Sequence, residues 1–348
     1  MMPVKSLLTA IVALLTIGDS APPLLAQQSP SADSLVTVQV QPNFYMIARA
    51  GGNIGVQIGE DGVVLVDAGA AGQSDAVVAA VKKLTSKPIR YIINTSADPD
   101  HIGGNEQVAK AGQSFFVAGN LGPGGGQNNT AIGNSGAASI VATENVLTRM
   151  GAPTGQQPPY PVAAWPTETF TRRQKALFLN NEGIEILAQP AAHTDGDSIV
   201  FFRRSDVIVT GDIFDTTRFP VIDIDKGGSI QGEIDALNRL VELAIPSIPL
   251  PWKEGGTQVV SGHGRISEQA ELVEYRDMLT IIRDRVQDMI NSRMTLQQIT
   301  AAAPTKGWTK RYGTDSGPWT TDMFVEAIYK GLAPKAAAPP AKSAPTKK

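Results

Sequence analysis

The sequence predicts an α+β fold made of two halves, each a β-sheet with helices on one outer face. Residues 35–67 read as strands separated by glycine turns. Helices and strands then alternate to about residue 119, and a second run of strands over 170–212 is followed by helical segments. Strands followed by helices, twice over, indicate two such halves.

The first half opens with four strand-like segments, VTVQVQP, FYMIARA, NIGVQIGE and GVVLVDAG. Their alternation and β-branched residues favour a meander, and GEDG at 59–62 is a candidate hairpin turn. The segment AGQSDAVVAAVKKLTSK places Ala76, Val77, Ala80 and Val81 on one helical face. A short strand IRYIINT, a helix NEQVAKAG and a strand SFFVAG follow.

Residues 118–137 are rich in glycine and asparagine, and we expect a mobile loop that covers the functional site. The second half continues with a helical ENVLTRMGAP and strands that include an NNEG turn at 180–183. A helix GGSIQGEIDALNRLVELA and a strand GTQVVSGHG precede the longest helical segment, for which Ser267 is the expected N-cap. Thr295 and Gln298 are spaced as a capping box.

Residues 1–26 combine a lysine, a short apolar run and small residues, which is typical of a secretory signal. An uncleaved N-terminal anchor is the alternative. No later stretch is long and uncharged enough to span a membrane. We therefore expect a periplasmic or secreted protein with a main domain over 35–292. Residues 293–332 are expected to form a helical extension packed on that domain, and 333–348 a disordered basic tail.

Composition limits the chemistry that the chain can perform. The chain has 348 residues, 42% of them hydrophobic, which is enough for a large core. A net charge of -3 gives no basis for nucleic-acid binding, so the expected partner is a small-molecule substrate, and the oligomeric state is left open. Since there is no cysteine, imidazole and carboxylate groups must supply any metal ligands.

The chain contains three histidines, and each follows a predicted strand. They lie in DPDHIGG (His101), PAAHTDGD (His193) and VVSGHGR (His263), and a fourth strand end, VIVTGD, offers Asp212. A single histidine is more often structural than a ligand. Three at strand ends, beside acids and glycines, match what a metal needs, because strands fix directions and loops let ligands converge.

Four separated motifs, NTSADPDHIGG, HTDGD, TGD and SGHG, together with the preceding GVVLVDAG, resemble those of the metallo-β-lactamase superfamily. The resemblance covers roughly residues 40–290. It implies a four-layer αββα sandwich with the active site along the edge where the strand-end loops meet.

The resemblance implies two metal positions, and the sequence departs from the family pattern at the first. There the family's two leading histidines are replaced by Ser96 and Asp98, which leaves His193. Serine is a poor ligand at neutral pH, so we expect this site to be weakened or empty. Asp98 could instead join His193 and Asp212 around a harder ion such as Mn²⁺ or Mg²⁺, or could accept a hydrogen bond that orients a histidine.

The second position is complete. The resemblance implies Asp100, His101 and His263 as ligands, with Asp212 as the bridging carboxylate. Two imidazoles and two carboxylates suit one Zn²⁺ ion and are also compatible with Fe²⁺ or Mn²⁺.

Several other residues are expected to support this site. Asp67 is expected to hold the metal loops by hydrogen bonding, and Ser96 and Asp197 to lie behind the ligands, although Asp197 could simply shape its turn. Arg265 is a candidate contact for an anionic substrate, with an exposed, non-functional arginine as the alternative. Asp215 competes with Asp212 for the bridging role, but only Asp212 lies in the TGD motif.

The expected activity is hydrolysis by one principal metal, whose hydroxide attacks the carbonyl of an amide, lactone or thioester. Asp100 or Asp98 would handle the proton. Two alternatives remain open: a degenerate, non-catalytic metal-binding protein, and an iron-dependent oxidising member of the same fold.

Overall fold

The computed structural model describes residues 34–115, 136–153, 157–247 and 255–333. The chain divides into a unit Met1–Ser34 and a compact unit Leu35–Lys348, and every strand and helix of the described residues belongs to the second unit. The predicted signal, the tail from residue 334, the glycine-rich stretch up to residue 135 and the segment SFFVAG beyond Phe115 lie outside the described residues. No helix in the described parts has the length and apolar character needed to cross a membrane.

The first sheet contains seven strands among the described residues, and their spatial order follows the sequence. Strands β1 to β4 pair antiparallel, as the predicted meander requires, and β4 to β7 pair parallel. The strands are β1 Val36–Gln41, β2 Phe44–Ala50, β3 Gly52–Ile58, β4 Val63–Val66, β5 Ile89–Ile93, β6 Ser139–Thr143 and β7 Glu168–Phe170.

The second sheet has six strands in the described part of the chain, in the order β13-β12-β11-β10-β9-β8. Its pairs are antiparallel except for β11 and β12, which run parallel. The strands are β8 Gln174–Leu179, β9 Glu182–Gln189, β10 Asp197–Phe202, β11 Val207–Val209, β12 Gln258–Val260 and β13 Ile266–Ser267.

Both predicted hairpin turns are present. The GEDG segment joins β3 to β4, and the NNEG segment joins β8 to β9. Asn180 and Asn181 both have φ of +56°, which is the left-handed conformation that a two-residue type I′ turn requires and that asparagine tolerates well.

The helices lie close to their predicted positions. They are α1 Ser74–Leu84, α2 Pro99–Ile102, α3 Asn105–Lys110, α4 Glu144–Gly151, α5 Ile230–Leu243, α6 Gln269–Asn291, α7 Leu296–Ala301, α8 Thr309–Tyr312 and α9 Thr321–Leu332. The Thr295 to Gln298 capping box is confirmed.

The predicted N-cap of α6 is wrong by one residue. Ser267 belongs to β13, where it pairs with Val259, and Glu268 is the N-cap instead. Glu268 forms a capping box with Glu271, whose carboxylate accepts a hydrogen bond from the Glu268 backbone N–H at 2.8 Å. Because Ser267 pairs in the strand, the helix begins one residue later than predicted.

Three apolar clusters establish the four layers. One lies between the sheets, where Phe44 and Phe202 meet edge to face with ring centroids 4.8 Å apart. A second packs α1 and α3 on the outer face of the first sheet. A third packs α5, α6 and α9 on the outer face of the second sheet, through residues such as Leu237, Leu279 and Phe324. The αββα sandwich expected from the resemblance is confirmed.

Candidate metal centre

The predicted site residues follow strands that end at one edge of the sandwich. Asp67 follows β4 and His101 follows β5, and these strands are parallel, so their carboxyl ends share an edge. His101 lies in the short helix α2 rather than in an irregular loop. In the second sheet, His193, Asp212 and His263 follow β9, β11 and β12, which also run in one direction.

Hydrogen bonds join the two sheets at this edge. The backbone N–H of Asn53 donates to the Gly262 carbonyl at 2.8 Å, and its side-chain Nδ2 donates to the Ser261 carbonyl at 2.9 Å. Gly262 passes so close to Asp212 that an added Cβ would lie 2.6 Å from Asp212 Oδ1. The loop carrying His263 therefore needs glycine at this position to lie against the carboxylate.

The ligand candidates form two groups on either side of Asp212. The first, which we call the Asp100 group, contains Asp100, His101 and His263. His101 Nε2 lies 3.1 Å from Asp212 Oδ1, and His263 Nε2 lies 3.2 Å from the same oxygen. His263 Nε2 is also 3.2 Å from Asp100 Oδ2. Two imidazole nitrogens and two carboxylates thus converge, as the resemblance implies.

One atom of the Asp100 group tests whether these residues fit a metal ion. His263 Nε2 is buried and, among the described residues, has no hydrogen bond of acceptable geometry, although two carboxylate oxygens lie near it. A buried nitrogen whose carboxylate contacts lack hydrogen-bond geometry is poorly satisfied, which is costly in a folded protein unless something else binds it. A divalent cation among these oxygens and nitrogens satisfies it, so the donor set fits a metal ion.

The second group, which we call the Asp98 group, contains Asp98 and His193; with Asp212 these could also hold a metal ion, but their side chains already contact other groups of the chain. His193 Nδ1 donates to the Val221 carbonyl at 2.7 Å, and its Nε2 lies 2.7 Å from Asp98 Oδ2. Asp212 Oδ2 is farther away, at 3.9 Å from His193 Nε2. Since the carbonyl and the ionised Asp98 carboxylate can only accept, both ring nitrogens of His193 act as donors here. Asp98 therefore lies as an acceptor beside a histidine, which is one of the two arrangements left open for it.

A different buried aspartate supports each group by hydrogen bonds. His101 Nδ1 is 2.7 Å from Asp67 Oδ2, and Asp67 also accepts from the Thr95 backbone N–H at 2.8 Å and the Thr95 hydroxyl at 2.7 Å. On the other side, Asp197 accepts two hydrogen bonds of 2.7 Å from Thr194, the residue after His193. Each loop is thus held by a buried aspartate.

Ser96 is buried and contributes to the shape of the first loop. Its hydroxyl accepts a hydrogen bond from the Asp98 backbone N–H at 3.2 Å. Ser96 therefore fixes the backbone that presents Asp98 and lies behind it.

The carboxylates and imidazoles of the cluster shift one another's pKa values. Burial would lower the pKa of His193, but the hydrogen bond to Asp98 and the nearby carboxylates raise it to about 10. Burial would likewise lower the pKa of His263, and Asp100 and Asp212 raise it to about 9. Burial would raise the pKa of Asp212, but the three imidazoles hold it well below its usual value. Protons thus occupy the imidazoles when no cation does, and a cation binds in exchange for them.

Two residues predicted near the chemistry are engaged elsewhere. Arg265 has 54% of its side chain exposed and donates to Glu271 at 2.6 Å. Asp215 accepts from Thr217 and from Arg218 Nε at 2.7 Å, so its carboxylate holds its own turn. Asp212 is the aspartate that meets the histidines.

Lys226 was missed by the sequence reasoning. Its Nζ lies 3.5 Å from Asp98 Oδ1 and 2.8 Å from Asp223 Oδ2. No spacing rule identifies Lys226, because its approach to Asp98 depends on how residues 220–228 fold back on the His193 loop. Arg218 and Tyr160 also lie near the cluster. Burial would lower the pKa of Arg218, but Asp215 and, after it, Asp212 and Asp100 raise it. Burial raises the pKa of Tyr160, and the charges of Asp98 and Asp100 raise it further.

The sequence profile described as "Metallo-beta-lactamase superfamily" matches residues 48–114, a stretch that contains Asp67 and the first motif. The profile match, the αββα sandwich and the ligand cluster at its edge agree. Residues 48–114 are thus similar to the metallo-beta-lactamase superfamily, and the chain has the metallo-beta-lactamase fold. A search of curated proteins gives no significant match.

Solved structures share the fold at low sequence identity. The stereoselective inverting sec-alkylsulfatase Pisa1 from Pseudomonas sp. aligns with a TM-score of 0.56 and 14% identity over 85% of this chain and 50% of that chain. A double mutant of that sulfatase aligns with a TM-score of 0.59, at the same identity and coverage. A metallo-beta-lactamase from Pontibacter korlensis aligns with a TM-score of 0.51 and 14% identity over 71% of this chain and 99% of that chain. The chain spans half the length of the sulfatase chains.

Proposed function

We propose that this chain is an exported metal-dependent hydrolase that acts on a small-molecule substrate with one principal divalent ion. The Asp100 group and Asp212 hold that ion. The observation that carries the proposal is the convergence on Asp212 Oδ1 of two imidazole nitrogens, at 3.1 and 3.2 Å, one of them buried without a hydrogen bond in the described structure. The donor set suits Zn²⁺ and is compatible with Fe²⁺ and Mn²⁺.

A divalent ion in this position supplies Lewis acidity, which activates water near neutral pH and stabilises negative charge on a substrate oxygen. The protein's part is to fix the ligands. Asp67 accepts from His101 Nδ1, which leaves Nε2 of that ring to face the site. Asn53 fixes the loop that carries His263. The ligands are thereby held before a substrate arrives, as preorganised catalysis requires.

Asp100 is the better of the two predicted candidates for moving a proton. Asp98 has one oxygen beside His193 and the other beside Lys226. Asp100 is 34% exposed, and within the described residues only its Oδ2 has a partner. Burial would raise the pKa of Asp100, but the neighbouring histidines lower it, so the carboxylate is ionised and can accept a proton.

Hydrolysis of an amide, lactone or thioester is the proposed reaction, with attack on the carbonyl carbon. The names of the structural relatives add sulfate esters to the substrates that need testing. Export rests on the signal-like residues 1–26, and periplasmic or secreted localisation is proposed on that ground alone.

The test is metal content followed by a substrate panel. Protein purified without added metal is analysed by inductively coupled plasma mass spectrometry, and then assayed with β-lactams, lactones, thioesters and sulfate esters. We expect about one divalent ion per chain, turnover of at least one ester or amide, and loss of both in His263→Ala. Full turnover in His263→Ala would refute the proposal.

The same experiment separates the alternatives. A bound ion without turnover of any substrate in the panel would support a non-catalytic metal-binding protein. Iron as the bound ion, together with oxygen consumption, would support an oxidising member of the fold.

A further inference from the structure

A lysine ammonium reaches the half of the site where the sequence departs from the family pattern. Lys226 Nζ lies 3.5 Å from Asp98 Oδ1, while Asp98 Oδ2 lies 2.7 Å from His193 Nε2. Both oxygens of Asp98 therefore face positively charged or hydrogen-bond donating nitrogens of the chain itself. A metal ion bound to Asp98 would have to share its oxygens with these nitrogens and lie beside the Lys226 ammonium.

The backbone of Lys226 is anchored beside the His193 loop. The Asp195 backbone N–H and Arg149 Nη2 donate to the Lys226 carbonyl at 2.9 and 2.7 Å. Asp223, whose carboxylate lies 2.8 Å from Lys226 Nζ, donates its own backbone N–H to the His193 carbonyl at 3.0 Å. The segment that carries the ammonium is thus tied to the loop that carries His193, and Lys226 approaches Asp98 from a defined direction.

Charge also distinguishes the two groups. A divalent ion in the Asp100 group neutralises the charges of Asp100 and Asp212, and the ammonium of Lys226 neutralises that of Asp98. A second divalent ion would add two positive charges beside an ammonium that is already present. Coulomb repulsion at such short range is substantial even near a protein surface. With one ion, the cations His193 and Lys226 complete the balance against the four carboxylates Asp98, Asp100, Asp212 and Asp223.

We propose that Lys226 is a built-in cation that takes the place of the ion at the first metal position and limits this chain to one divalent ion. Ser96 provides no imidazole at that position, and Lys226 occupies the carboxylate that remains. This inference rests on the proposed function for the location of the first ion, but it concerns the second.

The test is the binding of Co²⁺ and Zn²⁺ to metal-free protein, measured by isothermal titration calorimetry and by metal content after dialysis. Lys226→Met removes the charge and keeps most of the aliphatic chain, and Lys226→Arg keeps the charge. We expect the Lys226→Met variant to bind one more ion than the wild type, or to bind the second ion at least about tenfold more tightly. Lys226→Arg should behave as the wild type.

Two further variants locate the effect. Lys226→Met combined with Asp98→Asn should lose the additional ion, since Asp98 is the carboxylate that the lysine releases. Lys110→Met is the control. Lys110 Nζ lies 2.6 Å from Glu106 Oε1 and contacts none of the candidate ligands, so its loss should leave metal binding unchanged. Cobalt absorption spectra report a second ion separately from activity.

The result that matters is the difference between Lys226→Met and the wild type in the number and affinity of bound ions. No additional or tighter binding in Lys226→Met, or two tightly bound ions in the wild type, overturns the inference. A wild type without any bound ion refutes the proposed function instead. The inference would still be supported in that case if Lys226→Met gained an ion that depends on Asp98.

Discussion

The Asp100 group and the Asp98 group share Asp212 but differ in what their atoms already contact. In the Asp100 group, His263 Nε2 is buried between two carboxylate oxygens and has no well-formed hydrogen bond to any described residue. In the Asp98 group, the carboxylate is held by His193 and Lys226. The comparison teaches that the number of acids and imidazoles does not decide whether a cluster binds metal. The two groups differ instead in one unpaired donor atom, His263 Nε2, which has no counterpart in the Asp98 group.

The residues behind the two imidazoles differ as well. His101 Nδ1 faces a carboxylate, Asp67, whereas His193 Nδ1 faces a carbonyl, that of Val221. A carboxylate acceptor makes the opposite ring nitrogen a stronger base and a better metal ligand than a carbonyl does. The structure of the Val221 segment is maintained from outside, because Trp319, just before α9, donates to the neighbouring Pro220 carbonyl at 3.1 Å.

The largest expected effect is the contrast between two single variants, each of which removes one histidine from one of the two groups. His263→Ala should weaken binding of the first ion by more than about 100-fold, because loss of a supporting residue alone costs up to that factor and His263 is itself a ligand. His193→Ala should change the affinity for the first ion by only a few-fold. Titration of metal-free protein with Zn²⁺ in the presence of a competing chelator measures both. Equal losses in the two variants would remove the distinction between the groups.

The next effect is on stability and concerns Asp197, the aspartate behind the Asp98 group. Burial raises the pKa of Asp197 to about 6, against the charge of His193 and the hydrogen bonds from Thr194. The folded protein therefore binds this proton more tightly than the unfolded chain does. The resulting stabilisation is complete below about pH 4 and is lost as the pH rises through about 6, with a total of about 3 kcal/mol.

Urea unfolding of metal-free wild type and Asp197→Asn between pH 4 and 7.5 checks this. The free energy of unfolding of the wild type should fall relative to that of the variant as the pH rises. A difference that stays constant over this range would show that Asp197 does not titrate there.

A smaller effect is expected from Asp67→Asn. Asp67 has φ of +68°, a left-handed conformation that asparagine also tolerates, so the substitution changes the charge without straining the backbone. Loss of the carboxylate behind His101 should weaken binding of the first ion by about 10- to 100-fold. Asp197→Asn is the matched control from the other loop and should leave that affinity within a few-fold. The idea fails if the two variants bind the ion equally well.

Most of the fold could be predicted from the sequence, because the signals are local. Alternating apolar residues identified the meander, and NNEG and GEDG identified their turns. The N-cap of α6 was wrong because Ser267 pairs with Val259 in a two-residue strand. A strand of that length leaves no pattern in the sequence. The position of the cap depends on a tertiary contact.

The site was predictable only in part, for a related reason. Histidines after strands indicated where ligands lie, and the structure brings His101, His193 and His263 to one edge with Asp212. Lys226 could not be found in this way, because it meets Asp98 through a fold-back of its segment onto the His193 loop. Arg265 was a candidate because of its position in the sequence, two residues after His263, but its guanidinium pairs with Glu271.

The smallest effect is expected from Gly52→Ala, which tests how tightly His101 is held. A Cβ on Gly52 would lie 2.9 Å from His101 Cε1 and 3.2 Å from its Nε2. The ring has carboxylates on both sides, Asp67 at 2.7 Å and Asp212 at 3.1 Å, so it cannot turn away freely. A displacement of a few tenths of an ångström at a metal ligand should weaken the first ion's binding by about tenfold.

Gly72→Ala is the control for this substitution, because a Cβ there meets nothing within 4 Å among the described residues. It should leave both the metal affinity and the melting temperature unchanged, while Gly52→Ala should change the affinity far more than the melting temperature. If Gly52→Ala binds Zn²⁺ as tightly as the wild type, His101 is not confined by its two carboxylates. The Asp100 group would then be no more rigid than the Asp98 group, and the difference between them would lie in unpaired atoms alone.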